Sequence, residues 1–483
     1  MSDSNITTLD PQLVSSKAEL SYAYACFERL FLYDKDGNLI KNTQVEDYSV
    51  SADGLAYTFI LSDGFYWSDG ETKITANDFA FGLKRAILQE TKAPFAKLLS
   101  SISGFDEVHY NNASVDSKLG ISSTENKLTI NLKAKNDAFL HSLAHPVSAP
   151  CNEEFFISTK GKYGLDTKNI ITNGAYYISK LNKDDSSLTL RKSRESKNLP
   201  TATLDYAKII FNASADSVTD SAKEDTYNIY NSTEDVFKRY TEGKSNTYDS
   251  FDTTYGLYMS NDLISGKINI AEMLTLDIDK STLLINLPDY CKDAKNLIPS
   301  DLICDGKSFE KTDVNLNYSS YNKVKALQIR GNNKETFEKL SKLNLYYPDT
   351  SVCKTYASLI SQTWQKDLNA YINIQPYKES ELSKILNPKE QTSVLAIIPI
   401  KSTDGTAGGV SAYFEKLNSP IFQNAGETAS QISNAQQSLV NSCTLYPLFE
   451  CANRYIYDDK IDFVSFISHS GIVDFRYIAK IKN

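Results

Sequence analysis

The stretch from Asp53 to Arg85, DGLAYTFILSDGFYWSDGETKITANDFAFGLKR, constrains this chain more than any other. Ala56, Thr58 and Ile60 alternate with Tyr57, Phe59 and Leu61. That puts the two sets on opposite faces of an extended segment, and its aromatic and β-branched content favours a strand. Ser62-Asp63-Gly64 and Ser68-Asp69-Gly70 supply turn chemistry on either side of Phe65, Tyr66 and Trp67. Thr75 is placed to cap a helix, with Asn77 and Asp78 in the first turn and Phe79, Leu83 and Ala86 at apolar spacing. The residues therefore predict a strand, two tight turns around a packed aromatic, and a helix. None of them offers reactive chemistry.

A chain of 483 residues exceeds the roughly 250 to 300 that one hydrophobic core serves, so two or more domains are expected. The formal net charge is −9 and no run of lysine or arginine makes a basic footprint, which argues against nucleic acid or an anionic membrane surface as partner. No segment reaches the roughly 18 consecutive apolar residues of a membrane span, and Met1-Ser2-Asp3-Ser4 does not read as a secretory signal. The seven cysteines form no CxxC and no Cys/His cluster of zinc type. Pairing Cys291 with Cys304 would staple a loop rich in Asp, Lys and Pro; Cys443 with Cys451 is the second option, and an odd total leaves a thiol over.

Along the chain, Asn5 to Pro11 reads as a short strand and turn, Leu20 to Tyr33 as a helix, and Lys127 to Leu132 as a strand. A helix from Phe139 to Leu143 stops at His145-Pro146. Val324 to Ile329 reads as a strand, Cys353 to Asn369 as an amphipathic helix carrying Trp364, and Tyr371 to Pro376 as a strand again, an α/β alternation. Gln391 to Ile400 is strongly apolar and strand-like. Gly174 is read as holding a backbone conformation that other residues resist.

In order, Tyr57, Phe59, Leu61, Gly64, Trp67, Ser68, Asp69, Gly70, Thr75, Ala76, Asp78, Phe79 and Arg85 resemble the signature of the family 5 extracellular solute-binding proteins. These are the peptide-, dipeptide- and nickel-binding receptors of ABC importers. The resemblance extends over nearly the whole chain, through Thr8-Leu9-Asp10-Pro11, Asn173-Gly174-Ala175-Tyr176, the aromatic run Thr247 to Asn261, Pro447, and Val473 to Ile478, which resembles the family's closing strand. It breaks at Asn42 and Tyr48, where Pro and Trp are usual, and at the Val-Arg pair expected before Asp277-Ile278-Asp279-Lys280. The fold it implies is α/β, of the type II periplasmic-binding-protein kind, with two lobes of mixed sheets flanked by helices and an appended subdomain. Lobe I would comprise residues 1–28, 171–252 and 457–483, the subdomain residues 29–170, and lobe II residues 253–456.

The same resemblance nominates ligand-binding residues. Ser15 and Ser16 would border the cleft, against an equal reading as loop serines. His145 stands in a His-Pro that oligopeptide receptors carry beside the cleft, although a lone histidine is more often structural. Tyr230, Asn231 and Ser232 end a strand, where Ser232 serves equally as a helix cap. Phe251, Thr253 and Tyr255 lie on the strand expected to cross between lobes, a natural hinge. Asp404 would pair with a peptide α-amino group, Thr406 shares its loop, and Asp404-Gly405 is equally a turn pair. Lys401 occupies the place of a usual aromatic, and Lys389 would receive a peptide carboxylate.

The expected function is thus an extracytoplasmic receptor that captures short peptides by closure of its lobes and delivers them to the permease subunits of an ABC transporter. It would act as a monomer with no cofactor or metal, held at the cell surface by a lipid anchor on an upstream cysteine. A first alternative keeps the fold and alters the pocket, giving a sensor of signalling peptides or a binder of nickel, haem or a glycoside. With His109, His141, His145 and His469 as the histidines, a nickel site finds few ligands. The second alternative is an enzyme such as a peptidase, for which no GxSxG, HExxH or P-loop is present.

Overall fold

The computed structural model describes residues 6–34, 38–183, 187–194, 204–210, 229–231, 245–265, 269–331, 340–387, 393–403, 405–423, 425–426, 428–458, 461–462, 472–477 and 479–480. The chain divides into two units, Met1–Tyr248 with Tyr455–Asn483, and Asp249–Arg454. Among the described residues no helix is long and apolar enough to cross a membrane.

In the first unit, helix α1 (Lys17–Cys26) starts where the Ser16 hydroxyl accepts from Glu19 N at 3.2 Å, and it is buried along nearly its whole length. Strands β1 (Val45–Val50) and β2 (Ala56–Leu61) form an antiparallel sheet with β3 (Ile121–Ser123) and β4 (Lys127–Asn131), in the order β1-β2-β4-β3. Tyr57 faces Ile130 and Phe59 faces Leu128, and these side chains are buried. The alternation read from the sequence is the burial pattern of β2.

The turns beyond β2 follow their chemistry. Gly64 and Gly70 have φ of 86° and 78°, the left-handed region that glycine enters most easily. The Asp69 carboxylate accepts from Glu71 N and Thr72 N at 3.1 and 3.0 Å, and Trp67 between the turns is fully buried. Helix α2 (Ala76–Ile87) then begins at Thr75, whose N and Oγ1 donate to Asp78 Oδ2 at 2.7 and 3.1 Å. A three-stranded antiparallel sheet of β5 (Tyr176–Asn182), β6 (Ser187–Lys192) and β7 (Tyr206–Ile210) follows, and β8 (Ile229–Asn231) pairs with Tyr455 to Tyr457.

Four local expectations are corrected in this unit. The helix expected over Leu20 to Tyr33 ends at Cys26, and Phe31–Tyr33 pairs antiparallel with Leu39–Lys41. Residues 6–10 form no strand: Leu9 N donates to Gly164 O at 2.7 Å and Asp10 N to Thr8 Oγ1 at 3.0 Å in place of a ladder. Gly174 needs its missing side chain for space and not for an unusual backbone. A Cβ there would lie 2.5 and 2.6 Å from the carbonyl C and O of Cys26 at the end of α1. Phe475–Tyr477 is a 3₁₀ turn and no strand, held by Asp474, which accepts from Arg476 N at 3.1 Å and from its Nε at 2.9 Å.

Strand β9 (Ser245–Met259) carries the chain into the second unit. There β10 (Cys291–Asp293), β11 (Asn344–Pro348), β12 (Asn373–Tyr377), β13 (Leu395–Lys401) and β14 (Leu445–Asp458) build a mixed sheet. The order is β14-β9-β13-β11-β12, with β10 on the far edge of β14. β9 and β13 are antiparallel, whereas β13, β11 and β12 are parallel. Leu395 and Ile397 enter one core and Ala396, Ile398 and Ile400 another, which is why this strand is apolar from Leu395 to Ile400.

Val324 to Ile329, expected as a strand, lies in helix α3 (Lys323–Arg330). The Asn322 side chain accepts from Lys325 N at 3.0 Å at its start, and Gly331 ends it. Helix α4 (Ser351–Leu368) buries Trp364, whose Nε1 donates to Leu274 O at 3.0 Å.

Candidate functional site

Along β9 the side chains of Phe251, Thr253 and Tyr255 are half-buried while Asp252, Thr254 and Gly256 between them are buried. A strand turns alternate residues to opposite faces, so the three candidates share one face. Each is held differently. Phe251 lies under Lys292, whose Nζ is 3.9 Å from the ring centroid, a cation–π arrangement. Thr253 sits opposite Lys401 in the ladder and donates to Asp252 Oδ1 at 3.0 Å. Tyr255 stacks on Phe449 at 4.9 Å, and burial raises its hydroxyl pKa well above the ordinary value.

A segment that the sequence reading did not single out joins this strand to the loop after β13. Phe251 N donates to Asp301 Oδ2 at 2.7 Å, and Asp301 N returns a bond to Phe251 O at 3.0 Å. Two residues on, Ile303 N donates to Gly405 O at 2.9 Å and Ile303 O accepts from Ala407 N at 2.8 Å. Thr406, within this loop, accepts on Oγ1 from Gly409 N at 3.0 Å. Lys401 at the end of β13 pairs with Glu379 and lies 5.4 Å from the Tyr413 ring centroid. Phe251, Thr253, Tyr255, Lys401 and Thr406 are therefore tied into one part of the second unit.

Opposite Lys292 in the ladder stands a buried carboxylate. Glu450 accepts from Ser300 N and Oγ at 3.0 and 2.7 Å, and Lys292 Nζ approaches it at 4.0 Å. Burial pushes the Glu450 pKa up to about 7, against the opposing pull of Lys292 and of the Ser300 bonds. At the crossing itself Arg454 binds Asp249 through two nitrogens, each at 2.6 Å, and Asp289 at 3.0 Å. Asn453 Nδ2 donates to both Asp252 oxygens at 2.9 and 2.7 Å. Lys292, Asp301 and Glu450 carry no local motif; strand register pairs Lys292 with Glu450, and the two bonds to Phe251 hold the turn residue Asp301.

The other nominated residues belong to the first unit. Ser15 and Ser16 are half-buried around the first turn of α1, where the Glu19 carboxylate accepts from Thr7 N and Ser15 N, each at 2.8 Å. His145 is buried: its Nδ1 accepts from Val147 N at 3.1 Å, and its ring meets Phe95 edge-on at 4.6 Å. Burial, and then the nearby Arg29 charge, push its pKa down to about 3, so the ring is neutral at ordinary pH. Tyr230 and Asn231 lie opposite Ile456 and Tyr455 in the ladder. Ser232, Lys389 and Asp404 lie outside the described residues. Among the described residues no group of three His, Cys, Asp or Glu is placed to hold a metal ion.

The expected cysteine pairings are corrected. Cys291 on β10 lies directly opposite Cys451 on β14, so Cys304 is not the partner of Cys291 and Cys443 is not the partner of Cys451. Cys304 lies in a separate two-stranded ladder opposite Lys307, and Cys443 follows the helix Ala429–Asn441.

The model of the bacterial extracellular solute-binding proteins, family 5, matches residues 40–407. The chain belongs to this family. Among curated members, the dipeptide-binding protein DppE of Bacillus subtilis is 21% identical over 90% of this chain and 83% of its own length. The dipeptide-binding protein of Lactococcus lactis is 28% identical over 36% of this chain, and that match spans 31% of the relative, about a third of its length. Among solved structures, the pheromone receptor PrgZ superposes with a TM-score of 0.73 at 18% identity, covering 100% of this chain and 98% of that one. A Listeria monocytogenes OppA bound to peptide gives 0.71 at 18% identity, with 100% and 98% covered. The fold of this family 5 protein is the OppA-like type II periplasmic-binding-protein fold. The family consists of solute-binding proteins and not of enzymes.

Proposed function

We propose that this chain is an extracytoplasmic receptor that binds short peptides and delivers them to the permease subunits of an ABC importer. The observation that carries the reading is the family match across residues 40–407. The peptide named with the Listeria monocytogenes OppA structure and the dipeptide-binding names of the relatives supply the ligand class. In this reading the ligand is enclosed by both units, and contacts made only in the closed form shift the population towards it. A peptide held by its main chain against strand edges leaves its side chains free to vary. The half-buried face of Phe251, Thr253 and Tyr255, with Lys401 and Thr406 beside it, offers aromatic, hydroxyl and ammonium groups for such a chain. Ser15, Ser16, His145, Tyr230, Asn231 and Ser232 are the proposed contributions of the first unit.

Asp404 is proposed to hold the peptide α-ammonium and Lys389 the carboxylate, since a charged partner strengthens a hydrogen bond about twofold. The receptor is proposed to be a monomer, anchored by lipid at the cell surface, and to return its ligands uncleaved. Titration calorimetry of Asp404→Asn with free and N-acetylated forms of one peptide tests the assignment. Free peptides should lose roughly 10-fold or more in affinity while acetylated ones are spared. Equal losses for both forms remove Asp404 from this role.

A further inference from the structure

We propose that Cys291 and Cys451 form a reversible disulfide that clasps β10 onto β14, an oxidation site at the strand edge that carries Lys292. The two residues are direct partners in the antiparallel ladder, and their sulfurs face one another across it at 2.6 Å. Cys291, Cys451 and Cys443 are half-buried and open to a small oxidant, whereas Cys26, Cys151, Cys304 and Cys353 are buried; of the three, Cys291 and Cys451 share a ladder position. The bridge would close a loop of 160 residues, and long loops gain most from a cross-link in the chain-entropy account.

The neighbours of the pair give it a consequence. Lys292, next to Cys291, lies over Phe251, while Phe449 and Glu450 immediately precede Cys451. Phe449 carries Tyr255 and Glu450 anchors Ser300. Pinning β10 to β14 thus fixes the groups that back two proposed ligand residues. The proposal rests on the extracytoplasmic reading above, since small disulfides persist as oxidants there and not in a reducing cytosol.

The chemistry is thiol–disulfide exchange with a low-molecular-weight disulfide as oxidant. The Cys291 thiolate attacks one sulfur of that molecule and expels a thiolate. The Cys451 thiolate then attacks the Cys291 sulfur and expels the second. Two protein thiols are oxidised, the small disulfide is reduced to two thiols, and the two protein protons pass to them.

The test treats the folded, ligand-free chain with oxidised glutathione or with a phosphine reductant, then traps free thiols by alkylation. Intact mass should show the loss of two hydrogens on oxidation, and a peptide map should join the Cys291 and Cys451 peptides. The oxidised form should melt roughly 5 °C or more above the reduced form. That difference should vanish in Cys451→Ser and survive in Cys353→Ser. A cross-link involving other cysteines, glutathione adducts without a cross-link, or an unchanged melting temperature on cross-linking would overturn the clasp. No arm uses a peptide, so a protein that forms the clasp and binds no peptide refutes the receptor reading alone.

Discussion

Asp277 sits at the end of the short helix Ile270–Leu276, fully buried, and among the described residues neither of its carboxylate oxygens has a hydrogen-bond partner. Burial first, and then the neighbouring Asp367 carboxylate, push its pKa from 3.8 up to about 7, with Lys323 opposing. A carboxyl whose folded pKa is raised holds its proton more tightly when folded. Its contribution to stability is therefore complete below about 4 and is lost as pH rises through about 7. Glu450 adds to the same window. Urea denaturation should accordingly show lower stability at pH 8 than at pH 5, and Asp277→Asn should shrink that loss by about 1 kcal/mol or more. Identical pH profiles for the two proteins would show that Asp277 does not titrate in this range. The Asp10–Arg85 pair shows what the residue scale hides from a sequence. Thr8-Leu9-Asp10-Pro11 and Arg85 were both visible as family marks, yet that they clasp each other through a buried ion pair follows only from the fold.

Elements whose chemistry is local were legible. The module from β2 through its two Asp-Gly turns to α2 contains its own caps and turn residues, so its sequence determined it. At helix α3, Val-Lys-Ala-Leu-Gln-Ile is short and its apolar spacing fits either period; Asn322 before it and Gly331 after it are the signals that decide for a helix. The Cys291–Cys451 juxtaposition joins strands far apart in the chain, and spacing alone favoured nearer partners. Gly174 was singled out correctly for the wrong reason, since close approach to the end of α1 and not its own backbone angle excludes a side chain. Gly174→Ala should therefore cost about 1–3 kcal/mol in equilibrium unfolding. A neutral or stabilising result would mean that α1 yields easily at Cys26.

For the whole molecule, the family marks are spread along the chain in order, which made the α/β fold legible from sequence, and the solved relatives share it over the full length. The surroundings of the nominated residues were not legible, because Lys292 and Asp301 meet Phe251, and Glu450 meets Lys292 and Ser300, through contacts between segments distant in sequence. The central claim is that the folded chain captures short peptides. Native mass spectrometry of the freshly purified protein, followed by denaturing extraction and a thermal scan with a defined peptide pool, addresses it most directly. Short peptides should be released on denaturation, or the melting temperature should rise by several degrees with pool members near 100 times their Kd, worth about 2.7 kcal/mol. A clean unliganded mass together with a melting temperature that no peptide in the pool raises would contradict that claim.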